Sequence, residues 1–187
     1  MNDDVRALQG RIDELQKQLG EARRRAAPEP VRDYTLTTPD GAPVLLSRLF
    51  GSKGDLVLIH NMGRRCVYCT LWADGITGFT KHLEDRAAFA LASPDEPAVL
   101  RDFASSRGWN FTTVSSHGTT FGHDLGFEPD PGKPWPGVSA FRKRPDGSIV
   151  RTGRASFGPG DSFCAIWHLF DLLEGGVGEW GPKFRYE

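Results

Sequence analysis

The chain has 187 residues, 39% hydrophobic and 25% charged, a composition that suits one globular domain with a sizeable core and a small appendage. Its 23 basic and 24 acidic residues leave a formal net charge of -1, which gives no electrostatic case for nucleic acid or an anionic membrane as partner. No apolar stretch approaches the roughly 20 residues needed to span a bilayer, and three cysteines are too few for a disulfide scaffold.

The opening "MNDDVRALQG" carries early acids and no apolar core, so it does not read as a secretory signal, and a cytoplasmic location is the expectation. Val5, Leu8, Ile12, Leu15 and Leu19 then recur at alternating spacings of three and four, a heptad seam on an otherwise charged helix. Asp3 and Asp4 near its start and Arg23, Arg24 and Arg25 near its end match the helix dipole. An N-terminal amphipathic helix is therefore expected over residues 1–26. It serves either as a dimerising coiled coil, giving a homodimer, or as an arm lying on its own domain. "AAPEPVRD" breaks the pattern, and residues 27–33 read as a linker to a main domain over 34–187.

Within that domain, "YTLT" and the Pro39-Asp40-Gly41 turn predict a hairpin, and "LSRLFG" a short helix or turn. "DLVLIHNM" is a buried central strand by its near-continuous apolar run. "VYCTLWADGITGFTKHLEDR" fits a helix kinked at Gly75 and Gly78; "AAFALASPD" is a second buried strand. "EPAVLRDFASSRGW" follows as a helix, with Pro97 in its first turn and Gly108 at its end. "FTTVSS" is a third strand, and residues 116–136 form a long Gly- and Pro-rich loop. "GVSAFRKRPDGSIVRTGRAS" gives two hairpin strands, and "GDSFCAIWHLFDLLEGG" a terminal amphipathic helix. This order demands βαβ crossovers followed by antiparallel strands: an α/β fold with a mixed central sheet and helices on both faces.

The chemistry concentrates in "HNMGRRCVYCTLWADG". Cys66 falls where a buried strand meets the first turn of a helix, where free amides and the helix dipole stabilise a thiolate. Arg64 and Arg65 precede it, the position for contacts to thiolate and substrate. Cys69 lies one turn along the same face, close enough to close a disulfide. Cys66 is then the exposed nucleophile and Cys69 the buried resolving thiol. Two other readings compete. A metal site needs about four ligands, and neither Cys164 nor His60, His82, His117, His123 and His168 shows ligand spacing. Two inert core cysteines are the plainest alternative. "KPWPGVSAF" adds Pro136 ahead of a strand; in a redox fold with this element order, a cis-proline there packs against the cysteine pair. Pro134 is the weaker candidate. Tyr68, Trp72 and Trp135 are candidates for an apolar substrate groove, although aromatic residues dominate cores as well. Asp74 either orients a neighbour or caps a turn, and Cys164 reads as an inert core thiol.

From Tyr34 to about Asp171 these features resemble the thioredoxin-like superfamily, and the entry "TLTTPDGAPVLLSRLFGSKGDLVLIHNM" resembles its peroxiredoxin and alkyl-hydroperoxide-reductase branch. "HNMGRRCVYCTLWADG", "GWNFTTVSS" and "WHLFDLL" are similar to the DUF899 family. That resemblance implies a thioredoxin-like fold and a dithiol-disulfide oxidoreductase needing no cofactor. The departures matter. Thioredoxins commonly carry Trp before the first cysteine and Gly-Pro between the pair, where this chain has Arg65 and Val67-Tyr68. Their buried carboxylate, six residues before the first cysteine, is His60 here, which implies proton handling for the pair or a hydrogen-bonded core histidine. Peroxiredoxins place Thr or Ser three residues before the reactive cysteine; position 63 is Gly. Arg142, Arg151 and Arg154 are the candidates for their distant arginine.

Three functions follow for test. The first is a thiol-disulfide oxidoreductase acting on protein or small-molecule disulfides and thiols. The second is a thiol peroxidase, with Cys66 attacking peroxide and Cys69 resolving the sulfenic acid. The third is a non-enzymatic dimeric scaffold.

Overall fold

The computed structural model describes residues 2–187. Helix α1 spans Asp3–Arg25, started by Asn2, whose side-chain oxygen accepts the Asp4 amide at 2.9 Å, and ended by extended Ala26 just before Ala27-Pro28. It buries none of its residues. The stretch expected to be a linker contains strand β1 (Glu29–Val31), so the sheet begins earlier than the sequence indicated. A three-residue edge strand with Pro30 at its centre has too little apolar pattern to be seen before its partner is known.

Strands β2 (Thr35–Thr37) and β3 (Pro43–Leu45) form the expected hairpin, followed by a 3-10 turn at Leu46–Arg48. Strand β4 (Asp55–His60) leads into helix α2 (Val67–Thr77) and then helix α3 (Thr80–Arg86), so the single kinked helix expected there is two. Strand β5 (Ala88–Ser93), helix α4 (Pro97–Arg107) and strand β6 (Thr112–Ser115) follow. Gly108 ends α4 at φ 68°, a left-handed conformation that favours glycine. The long loop holds a short helix, α5 (Phe121–Asp124), before β7 (Gly137–Lys143) and β8 (Ile149–Ser156). The terminal helix α6 is only Ala165–Phe170. Asp161 explains its late start: its carboxylate accepts the Gly158 and Phe163 amides at 2.9 and 2.7 Å, holding those residues in a turn.

One eight-stranded sheet runs β1-β8-β7-β4-β5-β6-β2-β3. Strands β4, β5 and β6 are parallel, and every other pairing is antiparallel. Alternation along the strands builds one core on each face. Leu56 and Leu58 join Leu36, Phe50, Phe121 and Phe141 on the first. Ile59 joins Trp72, Ile76, Phe89, Leu91 and Trp167 on the second, where α2 and α6 pack. The architecture is the expected α/β one, a mixed sheet with helical segments on both faces.

Candidate active site

The carboxyl ends of the parallel strands β4, β5 and β6 lie side by side, where α/β sheets place their sites. The chain leaves β4 with the Asn61 amide donating to Ala92 of β5 at 2.9 Å. Asn61 turns back to accept the Gly63 amide through its side-chain oxygen at 2.6 Å. Gly63 has φ 92°, a left-handed conformation that favours glycine, and a Cβ there would crowd the Asp95 carboxylate at 3.0 Å. One oxygen of Asp95 accepts the Arg64 amide at 2.7 Å and the Ser93 hydroxyl at 2.9 Å. The Cys66 amide then donates to the Gly63 carbonyl at 3.0 Å. The loop is thus clamped from β5 before it delivers Cys66.

Cys66 caps α2, its sulfur accepting the Cys69 amide at 3.1 Å. Its carbonyl accepts the Thr70 amide and hydroxyl at 3.1 and 3.0 Å. The Cys69 thiol, joined by the Cys69 and Tyr68 amides, holds the Cys66 thiol down to about 7 against the pull of partial burial. Cys69 is buried, and its thiol is pushed up, first by donating to Cys66 and then by desolvation. One sulfur is partly exposed and readily ionised; the other is covered and held protonated.

Arg64 and Arg65 are exposed beside this cap, and Tyr68 is exposed with its ring stacked 6.2 Å from Trp167. Trp72 belongs to the core instead. It is 3% exposed, packed 4.7 Å from the Phe157 ring, and its indole N–H has no hydrogen-bond partner. The helical period explains this: Trp72, Ala73 and Ile76 form the face of α2 turned to the sheet. Trp135 is exposed beside a small cavity that it shares with His60, Asn61 and Phe127.

His60 points away from the cysteine pair. Its ring stacks 3.8 Å from Phe127 and 5.5 Å from Phe121, members of the first core, whereas α2 packs into the second. Strand alternation imposes this, since Ile59 takes the α2 side. Its Nε2 lies 2.9 Å from the Ser139 hydroxyl, and burial, with the Arg151 charge, pushes its pKa down to about 3. His60 is therefore a neutral, hydrogen-bonded core histidine rather than a proton carrier for Cys69.

Pro136 stands at the correct end of the sheet, because Gly137 pairs with His60. No cis peptide bond occurs among the described residues, so the cis-proline expectation is overturned. The Pro136 carbonyl accepts the Phe157 amide at 3.0 Å, extending the β7–β8 ladder, so the chain enters β7 already extended. Two of the three candidate arginines are committed elsewhere. Arg142 grips Asp55 at the far end of β4, and buried Arg151 holds Glu29 and the Leu125 carbonyl. Arg154 lies over Gly126. Asp74 orients a neighbour: it accepts the Arg107 guanidinium and, at 2.9 Å, the Trp109 indole N–H. Cys164 is buried in the second core and its thiol is pushed up by burial. Among the described residues no three His, Cys, Asp or Glu side chains gather as a metal-holding group, and no helix is long and apolar enough to cross a membrane.

Sequence reasoning missed Asp95, Asn61 and Ser93. The signal for Asp95 was "SPDEP", an acid between a strand end and a Pro-started helix.

Solved structures with the same fold include the peroxidoxin BcpB of Mycobacterium tuberculosis, at 24% identity and TM-score 0.58 over 74% of this chain and 88% of that one. Reduced Prx3 of Vibrio vulnificus in complex with hydrogen peroxide matches at 16% identity and TM-score 0.59, over 73% of this chain and 90% of that one. The mitochondrial 2-Cys peroxiredoxin of Plasmodium falciparum matches at 16% identity and TM-score 0.56, over 71% and 83%. No curated protein matches the chain in sequence. The family model DUF899, described as a bacterial protein of unknown function, matches residues 9–185. The chain belongs to the DUF899 family and has a thioredoxin-like fold, the one it shares with these peroxiredoxin structures.

Proposed function

We propose that the protein is a thiol-disulfide oxidoreductase that works through Cys66 and Cys69. The asymmetry of the two sulfurs carries this reading: an accessible thiol lowered to about 7 beside a buried one held protonated. The Cys66 thiolate attacks a substrate disulfide R–S–S–R, and one R–S⁻ leaves to take up a proton. Cys69 then loses its proton to a base or to water and attacks the Cys66 sulfur. The second R–S⁻ departs, and the protein keeps both lost electrons' worth of oxidation as a Cys66–Cys69 disulfide. An external dithiol must reduce that disulfide to close the cycle. The cytoplasm, where thiols are kept reduced, suits a pair that must return to the dithiol state.

Thiol peroxidase activity is the second reading, supported by the fold shared with the Vibrio vulnificus protein crystallised with hydrogen peroxide. There Cys66 attacks one peroxide oxygen, an alcohol or water leaves, and Cys69 condenses with the sulfenic acid to release water. Gly63, in place of a hydroxyl residue, and the distant commitments of Arg142 and Arg151 favour disulfides as the substrate.

We also infer a homodimer through α1. Val5, Leu8, Ile12, Leu15 and Leu19 are 47% to 61% exposed, so this apolar seam is not covered by its own domain, although α1 meets β8 and Arg23 borders the sheet. An antiparallel second copy covers this seam and sets Asp3 and Asp4 of one helix against Arg23, Arg24 and Arg25 of the other. A parallel pair gathers both arginine clusters at one end.

The test is turnover of insulin or a model disulfide. Cys66→Ser abolishes it, and Cys69→Ser accumulates a mixed disulfide on Cys66, visible by mass spectrometry. Unchanged turnover in Cys66→Ser refutes the proposal. A stopped-flow reaction with hydrogen peroxide faster than with the model disulfide moves the assignment to the peroxidase.

A further inference from the structure

Beside the cysteine loop lies a groove of about 370 Å³, lined by Arg64, Phe103, Ser106, Arg107, Phe184 and Arg185. Its size is that of small-molecule sites. Three chain segments build it: the loop two residues before Cys66, the second half of α4, and the C-terminal tail. The tail is fixed in place. The Arg107 guanidinium donates to the Phe184 carbonyl at 2.6 Å, and the Phe103 and Phe184 rings meet edge to face at 6.4 Å.

The charge of the groove is one-sided. Arg107 is neutralised by Asp74, and that carboxylate is also occupied by Trp109. Arg64 and Arg185 are exposed and form no ion pair among the described residues. The Asp95 carboxylate, next to Arg64, is taken up by the Arg64 backbone amide and Ser93. Two guanidinium groups without ion-pair partners, flanked by two phenyl rings and with Arg64 two residues ahead of Cys66 in the chain, suit a carboxylate on a short organic chain.

We infer that this groove binds the anionic half of the substrate, and that the substrate is a small disulfide bearing carboxylates. The inference rests on the thiol-disulfide reading. The carboxylate engages Arg64 and Arg185, the apolar stem lies along Phe103 and Phe184, and the disulfide reaches Cys66. Attack then proceeds as written above, one carboxylate-bearing thiolate leaving at each of the two steps.

The experiment compares three aliphatic disulfides: dithiodipropionate, an anion; hydroxyethyl disulfide, neutral; and cystamine, a cation. The kcat/KM of the full-length reduced protein for each is divided by the rate of a free neutral thiol with the same disulfide. The expected order is anion, neutral, cation, with about tenfold between the first two at low salt, shrinking as ionic strength rises. In Arg64→Ala/Arg185→Ala the anion-to-neutral ratio falls about tenfold, and Arg185→Lys restores part of it. Thermal midpoints confirm that the variants fold. A ratio that is flat in the wild type, or unchanged in the double variant, overturns the groove assignment while leaving the redox reading intact. If no disulfide reacts faster than with Cys66→Ser, both fail together.

Discussion

Removing the Asp95 carboxylate loosens the loop that presents Cys66. In Asp95→Ala the Ser93 hydroxyl, 1% exposed, loses its carboxylate partner, and the Arg64 amide loses an acceptor at 2.7 Å. The Ser93 oxygen still accepts the residue-95 backbone amide at 3.2 Å, so the hydroxyl loses only its acceptor, at about 1–2 kcal/mol; the Arg64 amide, on an exposed residue, recovers water and costs less. A total of about 1–3 kcal/mol lowers the thermal midpoint by about 2–12 °C for a domain of this size. Asp95→Asn keeps an oxygen able to accept both donors and loses less than half as much. The two assays are calorimetric unfolding and site-resolved alkylation of Cys66, which slows in Asp95→Ala because the turn that sets the α2 cap is no longer held. An Asp95→Ala protein with wild-type midpoint and alkylation rate refutes the clamp. Equal damage from Asp95→Asn refutes the hydrogen-bond account.

Two other predictions follow from the buried histidine and the exposed seam. His60 has a pKa depressed to about 3 in the fold, against about 6.5 when unfolded. Between those values the unfolded chain binds the proton and the folded one does not, so its contribution is intact above about pH 6.5 and is lost on acidification. Each pH unit below that costs about 1.4 kcal/mol; urea titrations show a shallower acid slope in His60→Gln, and an equal slope contradicts the burial of a neutral ring. Ile12→Asp/Leu15→Asp turns the dimer into a monomer by sedimentation equilibrium, with the sheet domain still folded. A wild-type chain that is already monomeric, or a dimer that survives both charges, removes α1 as the contact.

The fold was readable wherever a local pattern repeats. The apolar runs at 55–60 and 88–93 and the turn at Pro145-Asp146-Gly147 each fixed an element without tertiary help. The strand β1 and the helix α5 were not, because each is stabilised by a partner distant in sequence: β8 for the first, Tyr34 and the first core for Phe121. The same division runs through the site. The cysteine spacing and the strand-to-helix junction are local, and both cysteine environments followed from them. The direction of His60 depends on which sheet face α2 covers, and the burial of Trp72 on how α2 rolls against that face. Asp95 reaches the site across 31 residues of sequence. Of the two roles the spacing allowed His60, proton handling or a hydrogen-bonded place in the core, strand parity selects the second.

The central claim is that Cys66 is an activated nucleophile and Cys69 its covered partner. The rate of Cys66 alkylation by iodoacetamide, followed by mass spectrometry across pH, tests it most directly. The structure predicts a midpoint of about 7, with Cys66 about half ionised at neutral pH, Cys69 unmodified until the chain unfolds, and a midpoint that climbs in Cys69→Ala because the thiol donating to Cys66 is gone. A midpoint at the ordinary thiol value of about 8.5, or one unmoved by Cys69→Ala, contradicts it.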